Sequence, residues 1–92
     1  MELVIRERQL GVIRSEEVDG TASAVRLSSP PNTSFFRITA GLTNIRWRDF
    51  GIPDANTGHQ LLAGDTFLYL SDCKTFRIFG GKAQVTYYEA LA

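Results

Sequence analysis

Apolar and polar residues alternate with a period of two along most of this chain, and turn formers break the alternation at short intervals. In Thr43–Arg48, Thr43, Ile45 and Trp47 fall on one face while Asn44, Arg46 and Arg48 fall on the other. Thr75–Phe79 sets Phe76 and Ile78 against Arg77 and Phe79, and Ala83–Glu89 sets Val85 and Tyr87 against Gln84, Thr86 and Tyr88. Ser34–Ala40 is rich in aromatic and β-branched residues and is closed by Gly41. His59–Ala63 and Thr66–Leu70 are short extended runs joined by Gly64-Asp65, and Ser71–Lys74 reads as a turn. Gly80-Gly81 reads as a hairpin connection into the last strand.

The first third is less regular. Glu2–Arg8 sets Leu3 and Ile5 against Glu2, Val4 and Arg6, which fits a terminal strand or an arm lying on another subunit. Leu10–Arg14 is a second short extended piece, and SEEVDG at Ser15–Gly20 reads as a polar turn. Thr21–Ser28 alternates small residues with Val25 and Leu27, and Pro30-Pro31, unable to donate ladder hydrogen bonds, marks a loop. No window sustains the i, i+3, i+4, i+7 spacing of a helix. About eight short strands at roughly 8–12-residue spacing predict an all-β fold, a small β-sandwich of jelly-roll type.

Residues 43–65, TNIRWRDFGIPDANTGHQLLAGD, are the most informative stretch. An alternating strand ends in an Arg-Asp step, a turn holding Pro53, Asp54, Asn56 and Gly58 follows, and a short apolar run closes on Gly64-Asp65. Strand, long turn, strand predicts a wide β-hairpin.

A chain of 92 residues makes one domain, small enough that much of its surface stays exposed. Ten basic and ten acidic residues balance to zero, so no global field holds the chain on nucleic acid or an acidic membrane; near-neutrality favours self-association instead. Eight of the ten basic residues are arginine, whose flat forked group suits protein interfaces. The single Cys73, in a turn, has no partner for an internal disulfide and reads as an incidental thiol. MELVIRERQL lacks the apolar core of a signal peptide, and no apolar run approaches the ~20 residues of a membrane span.

Candidate chemistry is sparse. The one histidine, His59, has no cysteine or second histidine at zinc spacing and no Gly-x-Ser-x-Gly partner, so it reads as a turn or interface residue. Asp54 and Asn56 resemble the start of a calcium loop, but Gly58 sits early and the closing glutamate is missing; Asx residues in turns usually bond their own backbone. Arg37, Arg46, Arg48 and Arg77 lie on strands beside Phe35, Phe36, Trp47, Phe76 and Phe79, the composition of a base-stacking sheet, yet charge and motif are wrong for that use. The outer face of a sheet or a subunit contact is their expected place. No catalytic set, metal site or cofactor motif is expected, and no enzymatic activity.

The stretch IRWRDFGIPDANTGHQLLAGD resembles a pattern in small virion structural proteins of tailed bacteriophages, carried by Ile45, Arg46, Trp47, Arg48, Asp49, Gly51, Pro53, Asp54, Thr57, Gly58, Leu61, Leu62, Gly64 and Asp65. That family continues with a strand like TFRIFGG and ends on an alternating valine-tyrosine strand, as AQVTYYE does at 83–89; the likeness spans residues 35–89. Phe50, Ile52 and Cys73 depart from the pattern, whose turn is more polar. The resemblance implies membership in a phage particle, assembled in the bacterial cytoplasm. The expected role is a capsid decoration or cement protein that binds and stabilises the major capsid protein shell, as a homo-oligomer with a trimer as the candidate state, without nucleic acid or membrane as partner. Two interface surfaces are expected: an extended arm at residues 1–14 with Leu3, Val4, Ile5, Arg6 and Arg8, and the long turn with Arg46, Trp47, Arg48, Phe50, Asp54 and His59. The alternatives are a tail, fibre or baseplate accessory module using Trp47 or Tyr88 to stack on host glycans, and, behind it, an OB-type single-strand binder.

Overall fold

The computed structural model describes residues 10–70 and 73–90, and these contain eight strands and no helix. The strands are β1 (Leu10–Asp19), β2 (Val25–Arg26), β3 (Phe35–Ala40), β4 (Ile45–Asp49), β5 (His59–Leu61), β6 (Thr66–Tyr69), β7 (Phe76–Phe79) and β8 (Lys82–Ala90). They form two antiparallel four-stranded sheets, a first in the order β1-β8-β3-β6 and a second in the order β2-β7-β4-β5. The pairs β1·β8, β2·β7, β3·β6 and β4·β5 nest inside one another, as in one long hairpin; rolling it up adds the contacts β8·β3 and β7·β4. That is the eight-stranded jelly roll.

Period-two alternation builds the core. Phe36, Ile38 and Ala40 of β3 and Ala83, Val85 and Tyr87 of β8 point inward from the first sheet; Ile45 of β4, Leu61 of β5 and Phe76 and Ile78 of β7 meet them from the second. Phe36 and Phe76 meet edge to face, with centroids 4.8 Å apart. Tyr87 is fully buried, and its hydroxyl donates to Glu16 Oε1 at 2.6 Å. Burial, the Glu16 hydrogen bond and its charge together hold the phenol well above its ordinary pKa.

The two ends of the sandwich differ. At one end the corners are short and pinned across the sheets: Gly20 donates to Gly81 O at 2.9 Å, Gly80 to Gly20 O at 3.0 Å, and Gly41 to Lys82 O at 2.9 Å. A Cβ on Gly20 would lie 2.9 Å from the Ile78 carbonyl oxygen, which explains the absence of a side chain there. At the other end lie the longer connections β2–β3, β4–β5 and β6–β7. Among the described residues each carries one non-glycine residue in the left-handed region: Asn32 (φ 69°), Phe50 (φ 59°) and Cys73 (φ 57°).

Several expectations are corrected. Ser15–Asp19 is not a turn but the second half of β1, paired from Ser15↔Thr86 to Asp19↔Lys82. Its polar residues are compatible with an edge strand, where only Val18 and the Tyr87-bonded Glu16 turn toward the interior. Leu10–Arg14 is likewise part of β1 rather than of an arm, with a register shift between Val12 and Arg14; residues 1–9 lie outside the described residues. Gly80-Gly81 is not a hairpin connection, because β7 and β8 belong to different sheets; Gly64-Asp65 also crosses between sheets. Among the described strands, only β4–β5 is joined within one sheet. Cys73 is fully buried, although its polar sequence neighbours suggest a surface turn. Of the expected Thr21–Ser28 strand, only Val25–Arg26 is assigned.

Candidate interaction face

The predicted wide hairpin is β4–loop–β5, with Ile45↔Leu61, Arg46↔Gln60 and Trp47↔His59 as partners. Its loop is tightly tied. Asp54 accepts the Asn56 amide at 2.8 Å, and Asp54 and Thr57 exchange backbone hydrogen bonds. The Asn56 hydrogen bond closes an Asx turn, and that amide, helped by Thr57, keeps the Asp54 carboxyl below its ordinary pKa. Among the described residues, no three His, Cys, Asp or Glu side chains converge as a metal site requires.

Arginines fasten the loop to the sheet. Arg46 donates to Gly58 O at 2.9 Å and Arg77 to Gly51 O at 3.3 Å, and the Arg48 guanidinium covers Gly51 so closely that a Cβ there would lie 2.7 Å from its Cζ. Beneath the loop, Asp49 accepts from the Tyr69 hydroxyl at 3.2 Å and from Thr75. Burial, then the Asp49 charge, raises the Tyr69 pKa.

What the loop presents is apolar. Phe50 is 81% exposed and Ile52 64% exposed. Phe50 combines that exposure with a left-handed backbone, which costs an L-residue with a bulky side chain roughly 1–2 kcal/mol. An exposed aromatic held in a strained conformation points to a use outside the folded monomer.

The expected site residues separate. Arg46 and Arg48 project from the outer face of the second sheet, Arg46 half-buried against the loop and Arg48 exposed. Trp47 faces the opposite way, into the sandwich, ringed by His59, Phe67, Tyr69 and Phe76 at centroid distances of 4.5–5.5 Å. It is therefore not part of one surface with the arginines. His59 is exposed and lies against the Trp47 ring. Asp54 is exposed in the loop. Leu3, Val4, Ile5, Arg6 and Arg8 lie outside the described residues. Tyr88, the other ring considered for glycan stacking, stacks on Phe35 at 5.1 Å and is 8% exposed, so it offers no open face.

One residue on this face escaped sequence reasoning. Arg26 of β2 pairs with Arg77 of β7, and Arg77 pairs with Arg48 of β4, so three arginines stand in one cross-strand row on the outer face. Pairing between strands far apart in sequence creates that row; no local pattern signals it.

No protein-family model, curated protein or solved structure matches this chain. A jelly roll serves viral shells, lectins and enzymes alike, so the fold by itself leaves function open.

Proposed function

We propose that this chain is a virion structural protein of a tailed bacteriophage, a decoration or cement protein that binds across the major capsid protein shell. The observation that carries the reading is Phe50: strained, largely exposed, next to Gly51 on which Arg48 and Arg77 rest, and set in the hairpin that resembles the phage family, although Phe50 itself departs from that pattern's more polar turn. A folded monomer gains nothing from holding that ring in water, whereas an interface core enriched in aromatics and arginine does. Each copy contributes a modest contact, and shell symmetry repeats it until the lattice resists internal pressure. The copies assemble with the particle in the host cytoplasm, and self-association into a trimer fits the near-neutral charge.

The test is cosedimentation of purified protein with expanded shells of the parent phage, with the bound position imaged. Saturable binding at symmetry-related shell sites is expected. Phe50→Gly should weaken that binding while raising thermal stability, because glycine adopts the left-handed backbone freely. Absence from the shell, or binding to the tail, would overturn the proposal; the second outcome would favour a tail or baseplate accessory.

A further inference from the structure

The row Arg26–Arg77–Arg48 crosses three adjacent strands at a spacing of about 4.8 Å. Like charges directly opposite on a sheet repel, and the contacts of Arg77 and Arg48 with Gly51 fasten the loop without neutralising either charge. No carboxylate lies within ion-pair distance of any of the three among the described residues. Among the described residues most carboxylates are engaged elsewhere: Glu16 by Tyr87 and Arg14, Glu17 by Lys82, Asp19 by the Thr21 amide, Asp49 by Tyr69 and Thr75, Asp54 by Asn56. The other two, Asp65 and Glu89, lie toward opposite ends of the first sheet. The described residues of a second copy therefore offer no free acidic row to match. Charge complementarity on the described residues therefore points to a different molecule.

We infer that the outer face of the β2-β7-β4-β5 sheet is a docking surface for an acidic protein surface, the Arg26–Arg77–Arg48 row pairing with the partner's carboxylates. Within the proposed function, on which this inference rests for the partner's identity, that surface belongs to the shell. Two features favour protein over nucleic acid. Exposed Phe50 and Ile52 border the row, and a protein would cover that apolar area whereas a phosphate backbone would not. The chain also has no net charge with which to hold a polyanion at long range. The row is partly pre-organised, since Arg77 is tethered to Gly51 O and Arg48 rests on Gly51. Forked guanidinium groups held in this way suit bidentate carboxylate pairing.

Two measurements test it. The first needs no shell: isotope-labelled protein is titrated at low salt with a glutamate oligopeptide, following the arginine Nε–H signals. Shifts concentrated on Arg26, Arg48 and Arg77 are expected, fading as salt rises. Equal shifts on Arg37, which lies on the opposite sheet, would overturn the inference. The second compares shell binding of the intact chain with Arg48→Glu/Arg77→Glu and with the control Arg37→Gln. The double variant should bind about 30-fold more weakly or worse, and the control should bind normally. Arg48→Lys/Arg77→Lys should restore part of the affinity. If the unaltered chain binds shells and the double variant binds equally well, this inference fails while the proposed function stands; if the unaltered chain ignores shells, the function falls and the peptide titration alone judges the face. Tight, salt-sensitive binding of an oligonucleotide lost in the same variants, or a dimer abolished by them, would reassign the face and overturn the inference.

Discussion

The outer faces of the two sheets share one core and one strand period, yet their cross-strand pairs are of opposite kinds. On the first sheet the pairs are complementary: Ser15 and Thr86 hydroxyls hydrogen-bond at 2.8 Å, Thr39 donates to Thr66 at 2.9 Å, Phe35 stacks on Tyr88, and Asp19 stands opposite Lys82. On the second sheet, arginine faces arginine twice, and a third pair sets Arg46 against Phe79. Complementary pairs stabilise a sheet and opposed like charges destabilise it. The first face is finished within the monomer. The second is left unfinished within the monomer, and such a departure from local consistency is where function is expected.

The comparison requires that both sheets depend on one shared core, and the largest effect tests that. Phe76 is fully buried on β7 and touches Phe36 and Tyr69 of the first sheet as well as Trp47 of its own. Phe76→Ala should cost about 3–5 kcal/mol in urea unfolding, through lost burial and the cavity left behind. Probes on the two sheets should lose structure in one coincident transition. Separate transitions would mean that the sheets are independent units and that their outer faces cannot be weighed against each other.

Next comes the tie between the β1 edge and the core. Tyr87→Phe removes a hydrogen bond to a carboxylate, worth about 1.5–3 kcal/mol. The Glu16 side chain is 30% exposed and can turn to water, which argues for the lower end of that range. The folded protein holds the Tyr87 proton more tightly than the unfolded chain, whose phenol titrates near 10. That contribution is complete below pH 10 and is lost as pH rises beyond it. Stability measured from pH 8 upward should therefore fall above about pH 10, and the fall should be shallower in Tyr87→Phe. A parallel fall in both proteins would show that other groups govern alkaline unfolding.

How much of this was legible in the sequence depended on whether the signal was local. The inward sets Ile45/Trp47, Phe76/Ile78 and Val85/Tyr87 could be read because side-chain direction follows directly from alternation. The β4–β5 hairpin could be read because both of its strands lie in one sheet, with a turn-rich loop between them. The Gly80-Gly81 corner was misread because a glycine step looks alike whether it turns a hairpin or carries the chain over the core. Ser15–Asp19 was misread because its partner Tyr87, which makes an inward glutamate tolerable, lies 71 residues away. Cys73 is buried beside a polar neighbour, Lys74, so composition pointed the wrong way. The arginine row failed for the same reason as the corner, since its register depends on β2·β7 and β7·β4 pairing that no short window contains.

A smaller effect probes the first face. Thr86 is 7% exposed although it points outward, and its hydroxyl is shared with Ser15. Thr86→Val keeps the shape and deletes the bond, so stability should drop by about 1 kcal/mol. With docking on the second sheet as proposed, shell binding should be unchanged. A binding loss larger than the stability loss accounts for would place contacts on both faces.

The smallest effect has the opposite sign and is the sharpest discriminator. Arg26 is exposed, makes no hydrogen bond or ion pair among the described residues, and stands directly opposite Arg77. Arg26→Gln should raise stability by roughly 0.2–1 kcal/mol at low salt, and the gain should shrink as salt screens the repulsion it relieves. Arg48→Gln should gain less, because it relieves repulsion on Arg77 but gives up the guanidinium packing on Gly51. If Arg26→Gln instead lowers stability, the guanidinium has a favourable role in the free monomer and the row needs no partner to explain it. If stability rises while shell binding falls, the repulsion is the cost of keeping a binding face ready, and the second sheet differs from the first because its outer pairs are completed across an interface.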